Sequence, residues 1–211
     1  MPRDDPNRIV KVGLLAYGSL LWEPGPELAD VLDLGSPING VETPFNVEFA
    51  RSTSSRGGGP TLVPVATGGA PVRGTIFPFR HRLSVHEAQT LVWRREVRRS
   101  DGWYDSKRNA DSRDKVFVDV EEGIHEGFDT VLFVRIPPNI EPLHGEELAA
   151  RAILSARANS CPDGRDGISY LIGAKEAGIE TPLRLDYESA ILRMLNATSL
   201  KHARVGARTS G

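Results

Sequence analysis

Two stretches of the chain have residue types and spacing that could do chemistry. The first is Leu14-Leu15-Ala16-Tyr17-Gly18-Ser19-Leu20-Leu21-Trp22-Glu23-Pro24-Gly25. An apolar run from Ile9 to Ala16, broken only by Lys11 and Gly13, ends in Tyr-Gly-Ser and passes into a Pro/Gly cluster at Pro24 to Pro26. A strand that ends this way exposes several backbone N–H groups, and successive N–H groups can cradle an anion such as a carboxylate. Gly18 allows close approach of a ligand or a positive φ. The same residues also suit a plain tight turn, with Ser19 capping a short helix. The second stretch is Trp93-Arg94-Arg95-Glu96-Val97. On a helix, Glu96 lies one turn from Val92 and Trp93, with Val85 near the same face, so its side chain leans back over apolar surface. Partial burial disfavours a charged carboxylate and raises its pKa. That suits a general acid/base near neutral pH. The competing arrangement is an ion pair with Arg95 or Arg99 at a charged helix end, which lowers the pKa instead.

Other chemistries find little support. No two of the five histidines have the four-residue spacing of a helical zinc motif, and Cys161 has no cysteine partner, so no metal is expected. Gly13 and Gly18 are spaced as in a phosphate loop, but Ser19-Leu20 stands where the lysine is required. No Gly-x-Gly-x-x-Gly follows the first strand, which argues against a dinucleotide cofactor. Ser19 lacks the following glycine of a nucleophile elbow. Arg51 and Arg56, which flank a glycine loop, are either anion contacts or ordinary surface charges.

The elements that position these groups follow from periodicity. Residues 9–16 read as a buried strand and 27–32 as a short helix after Pro26. Phe45 to Arg51 alternates apolar and polar, as a strand with one wet face does. Arg56-Gly57-Gly58-Gly59-Pro60 reads as a flexible loop. Thr61–Val65 and Val72–Phe79, separated by Gly68-Gly69, read as a hairpin-like pair. Ser84 with Glu87 three residues later is a capping box, opening a helix to about Arg99. Strands follow at 116–120 and 130–136, then helices at 145–157, 167–177 and 183–196. Residues 1–8 read as a flexible arm, 9–200 as a single domain, and 201–211 as a flexible basic tail. Strands early, one inserted helix and helices late give an α+β fold with a mixed or antiparallel sheet.

Composition narrows the setting. The chain has 211 residues with a formal net charge of −2, so no global field draws it to nucleic acid. No apolar run reaches membrane-span length. The single cysteine fits a reducing compartment, and the polar start lacks a signal core, so a cytoplasmic location is expected.

The segment Ala16 to Gly25 resembles the opening motif of the γ-glutamylcyclotransferase superfamily, including its ChaC-like and AIG2-like branches. Trp93-Arg94-Arg95-Glu96-Val97 is similar to the Arg-Glu-Val segment that carries that family's essential glutamate. Phe45–Ser52, Pro60–Pro64 and Val72–Ile76 are similar to its central hairpins, so the likeness covers roughly residues 10–136. Where ChaC-like members have Gly-Tyr soon after Arg-Glu-Val, this chain has Arg98-Arg99-Ser100, with Gly102-Trp103-Tyr104 later.

The resemblance implies a small mixed β-barrel flanked by helices, with extra C-terminal helices belonging to this protein. It implies a lyase- or transferase-type cyclisation that converts a γ-glutamyl amide into 5-oxoproline and a released amine, with no cofactor. Glutathione, a γ-glutamyl amino acid or a γ-glutamyl amine would be the small-molecule substrate of a monomer or homodimer. Glu96 would be the catalytic acid/base, and Tyr17, Gly18, Ser19 and Leu20 would bind substrate. A non-catalytic module that holds a γ-glutamyl or amino-acid-like ligand is the alternative, and a protein-interaction domain using the basic tail is a third.

Overall fold

A computed structural model describes residues 9–111, 115–158, 161 and 164–209. In chain order the elements are β1 (Ile9–Val10), β2 (Val12–Ala16), α1 (Pro26–Val31), β3 (Ile38–Glu42), β4 (Asn46–Ser52), β5 (Pro60–Val65), β6 (Arg73–Pro78), β7 (Leu83–Ser84), α2 (Val85–Val97), α3 (Ser106–Asp111), β8 (Phe117–Glu121) and β9 (Thr130–Arg135). Four helices follow: α4 (Gly145–Arg157), α5 (Gly167–Glu176), α6 (Arg184–Met194) and α7 (Leu200–Thr209). The chain divides into two compact units. One comprises residues up to Pro44 together with Arg73–Ile136, and the other Phe45–Val72 together with residues from Pro137 onward. The expected arm at 1–8 lies outside the described residues.

The first unit is built on a five-stranded mixed sheet in the order β3-β6-β2-β9-β8. β2 lies in the middle, antiparallel to β6 and parallel to β9, so that Leu14 sits opposite both Phe77 and Leu132. All five residues of β2 are buried. Val12, Leu14 and Ala16 alternate onto one face and share a core with Leu132 and Val134 of β9, Val118 of β8, and Ala88, Val92 and Trp93 of α2. Four-residue spacing of Ala88 and Val92 puts both on the helix face that covers the sheet. The small mixed β-barrel implied by the resemblance does not close among the described residues, because β4 pairs with β5 and not with the edges of this sheet. β3 and β8 are the two edges, and β4 and β5 pair with each other in the second unit.

The α2 helix starts where its sequence signal places it. The Ser84 side chain accepts from the Glu87 N–H, and the Glu87 carboxylate accepts from the Ser84 N–H at 2.9 Å and the Ser84 hydroxyl at 2.7 Å. These bonds hold the Glu87 carboxyl below its ordinary pKa, the side-chain bond contributing most. The helix ends at Val97 because Arg98 turns left-handed, at φ 56°.

The second unit sets the β4–β5 ladder with helices α4–α7. Its pin is Glu48, a fully buried carboxylate. It accepts from the Thr181 hydroxyl at 2.6 Å, the Leu183 N–H at 3.0 Å and the Phe49 N–H at 2.9 Å. Three donors on one carboxylate replace the water that burial removed. Phe49 meets Tyr187 edge-on, with ring centroids 5.3 Å apart.

Three further sequence expectations change here. Thr61–Val65 and Val72–Phe79 do not form a hairpin. β5 pairs with β4, while β6 lies between β3 and β2. Strand patterning marks a strand and is silent on its partner. The Arg56–Pro60 segment folds tightly instead of forming an open loop. Gly58 donates to the Thr53 carbonyl at 2.9 Å, and a Cβ on Gly59 would stand 2.7 Å from the Gly167 Cα, so only glycine fits that approach. The expected flexible tail is helical through Thr209. Leu200, Ala203 and Ala207 form a buried stripe at helical spacing within a basic composition. Arg204 of α7 also donates to Asp166, which caps α5, at 3.2 Å. Among the described residues no helix is long and apolar enough to cross a membrane.

Two stability effects follow. Ser84→Ala should lower unfolding free energy by about 1 kcal/mol, the usual worth of an N-cap, in urea titration. Glu48→Ala strands buried donors worth about 1–3 kcal/mol each and should cost about 3 kcal/mol or more, with Glu48→Gln milder. A loss below about 1 kcal/mol for Glu48→Ala would contradict the buried-acceptor account.

Candidate functional site

The site grows from the end of β2. Tyr17 leaves the strand buried, and its hydroxyl donates to the Val134 carbonyl on β9. Gly18 follows with φ −150°, so it does not take the positive φ that its type permits. Ser19–Leu21 form a single 3-10 turn, closed by the Leu21 N–H on the Gly18 carbonyl at 2.9 Å. Leu20 is buried and returns to the core of the first unit, which fixes the turn from below. Glu23 closes it again, its N–H donating to the Ser19 carbonyl at 2.7 Å. Gly25 at φ 81° then redirects the chain into α1, with Pro26 at the first helical position. The first N–H groups of a helical turn have no partner within it. Accordingly, those of Gly18, Ser19 and Leu20 meet no acceptor among the described residues.

Glu96 stands in the last turn of α2, one residue before the helix ends. Its side chain is 14% exposed, and Oε1 accepts from Arg95 Nη1 at 2.5 Å. The two arrangements open from sequence coexist: the side chain is largely buried and it is ion-paired, with Arg95 and not Arg99 as the partner. Arg99 pairs with Asp101 at 3.1 Å. The Arg95 guanidinium continues beyond Glu96. Its Nη2 donates to the Ser19 hydroxyl at 3.2 Å and also to the Glu23 carbonyl. One guanidinium thus holds the Glu96 carboxylate on one terminal nitrogen and the Tyr17–Glu23 turn on the other. This brings together the two stretches that lie some 70 residues apart in sequence.

Arg94 turns the other way around the helix. It donates to Glu27 of α1 at 2.8 Å and to the Gly102 carbonyl at 2.9 Å. The Gly102–Tyr104 segment lies against α2: Trp103 stacks on His86 with centroids 5.6 Å apart, and the Tyr104 N–H donates to the Thr90 hydroxyl. Burial pushes the Tyr104 hydroxyl above its ordinary pKa.

Of the sequence-derived candidates, Ser19 and Glu96 share the Arg95 guanidinium, while Gly18 and Leu20 contribute backbone of the same turn. Tyr17 anchors that turn through its hydroxyl. Arg51 and Arg56 lie in the second unit. Arg51 donates to the Pro137 carbonyl at 2.7 Å, and Arg56 is buried over the Tyr170 ring at 4.6 Å. Arg95 is the site residue that sequence reasoning underrated. Adjacent helix positions do not face one another, so periodicity gives no sign that Arg95 reaches Ser19 and Glu23. No cluster of three or more His, Cys, Asp or Glu that could hold a metal occurs among the described residues.

No protein-family profile matches the chain, and no curated protein matches it. Among solved structures, the chain is similar to a γ-glutamyl cyclotransferase specific to glutathione from yeast. The identity is 13% and the TM-score 0.40, over 86% of this chain and 96% of that one.

Proposed function

We propose that the protein is a γ-glutamylcyclotransferase-like enzyme that releases 5-oxoproline from a small-molecule γ-glutamyl peptide, amino acid or amine. The observation that carries this reading is the single Arg95 guanidinium shared by Glu96 and the Tyr17–Glu23 turn. The two motifs that resemble the family's substrate-binding and catalytic segments meet there. The reaction needs both halves: a base beside a place for an anionic or polarised oxygen.

The substrate's own α-amine attacks its γ-carbonyl carbon. A C–N bond forms within one molecule and closes a five-membered ring, the original amide C–N bond breaks, and the released amine takes a proton. Nucleophile and electrophile are already joined, so the protein's task is to hold a folded conformer. Such orientation is worth roughly 7–11 kcal/mol against a bimolecular reaction. The α-amine is mostly protonated at neutral pH and ends as a ring N–H, so it sheds two protons: one passes to solvent before attack, and Glu96 takes the other as the ring closes and returns it to the leaving nitrogen. Oε1 is held by Arg95, and Oε2 has no partner among the described residues, which makes Oε2 the oxygen that carries the proton. The N–H groups of Gly18, Ser19 and Leu20 supply donors for the α-carboxylate or for the oxyanion that develops on the γ-carbonyl.

The test is incubation with glutathione, several γ-glutamyl amino acids and a γ-glutamyl amine, with 5-oxoproline followed by mass spectrometry. Glu96→Gln keeps the shape and removes the proton carrier. Its turnover should fall by about 10²–10⁴-fold while ligand binding persists. Undiminished turnover in that variant would end this mechanism. No product from any substrate, with a γ-glutamyl ligand still raising the melting temperature, would turn the reading to a binding module.

A further inference from the structure

We infer that Arg95 is a positioning residue that sets Glu96 and the Ser19–Glu23 turn at a fixed separation, an inference that rests on the cyclotransferase reading of this site. Three features of the geometry lead to it.

Neighbouring helix residues project about 100° apart, so an Arg–Glu pair at adjacent positions is not a natural helix-face contact. Here Arg95 Nη1 nevertheless approaches Glu96 Oε1 to 2.5 Å, while the same guanidinium reaches across to the turn. On the far side, Nη2 grips the Ser19 hydroxyl and the Glu23 carbonyl, the two ends of a turn already closed by the Glu23 N–H on the Ser19 carbonyl. The arginine stem passes Gly25, where a Cβ would stand 3.5 Å from Arg95 Cγ. Its path therefore runs beside the chain two residues past the turn that it ties down.

The second feature is electrostatic. Glu96 sits at the C-terminal end of α2, where unpaired carbonyls make the potential negative and a carboxylate is disfavoured by roughly 0.3–1 kcal/mol. The Arg95 cation offsets that field at the carboxylate itself. Both side chains of the pair are only 14% exposed, so water screens the contact weakly.

Chemical suitability is the third. A guanidinium is a rigid planar fork with donors fixed in direction, and it stays charged throughout. It can orient a proton carrier without becoming one. A lysine offers a compact charge on a flexible stem and cannot span the carboxylate and the turn together. Misplacement of a catalytic group by about 1 Å can cost on the order of 10²-fold in rate.

Arg95→Lys and Arg95→Ala, assayed beside the parent and Glu96→Gln, test the role. Arg95→Lys should lower kcat by roughly 10–100-fold, with KM within about threefold of the parent, the signature of lost transition-state geometry. Arg95→Ala should fall further and recover part of its kcat when methylguanidinium is added. Parental kcat in Arg95→Lys, or a raised KM at unchanged kcat, would overturn the positioning role. Hydrogen exchange gives a readout independent of turnover. The Leu21 and Glu23 amides should exchange faster in Arg95→Ala, while those in the middle of α2 keep the parental rate. If the parent releases no 5-oxoproline from any substrate, the cyclotransferase reading fails by itself, and unchanged exchange in Arg95→Ala would then overturn the positioning role as well.

Discussion

The site depends on the complete burial of β2. Every residue of this strand is buried, and ladders on both sides fix its register against β6 and β9. A central strand with no wet face cannot slip by one residue without moving its whole apolar set. Its end is therefore a fixed point, and the turn that follows inherits that precision. Tyr17 ties the first residue past the strand to β9, and Leu20 returns to the core three residues later. Between these anchors the backbone of Gly18 and Ser19 has little freedom to relax, although its N–H groups are left without acceptors among the described residues. Preorganised donors of this kind act without reorganising when charge develops near them.

The second constraint is the Arg95–Glu96 pair. A largely buried ion pair is weak evidence for stability, because desolvation cancels much of the Coulomb attraction. Surface pairs contribute about 0–1 kcal/mol, and this one also carries a carboxylate at the unfavourable end of a helix. What the arrangement supplies is geometry: one planar cation that fixes a carboxylate oxygen, a hydroxyl and a carbonyl together. Arg94 directs the neighbouring position toward α1 and Gly102, so two consecutive arginines fasten the end of α2 on two sides.

Local signals carried much of this arrangement. The capping box at Ser84 and Glu87 set the start of α2, and the apolar run before Tyr17 set β2. Both depend on residues within a few positions of one another. Ladder partners were another matter. Thr61–Val65 and Val72–Phe79 are recognisable as strands, but their partners are not, because alternation reports which residues face inward and not which strand lies alongside. The helix at Leu200–Thr209 is hard to see in the sequence because its buried stripe consists of one leucine and two alanines among basic residues. Small residues bury well against a neighbouring helix while adding little to a hydropathy pattern. Closure into a barrel was likewise a property of strand pairing, and here the edges of the five-stranded sheet stay open among the described residues.

The amino-acid sequence by itself determined the strand that ends in Tyr17-Gly18-Ser19, the helix that carries Glu96 near its end, and the resemblance that links the two. These follow from periodicity, capping and motif, which act over one or two turns of chain. Tertiary structure alone decided that Glu96 pairs with Arg95 and not Arg99, that the same guanidinium reaches Ser19 and Glu23, and that Arg51 and Arg56 are occupied in the other unit. A long arginine side chain has several rotamers within reach of different acceptors. Which one it adopts is set by what the fold brings beside it, and no local rule contains that information.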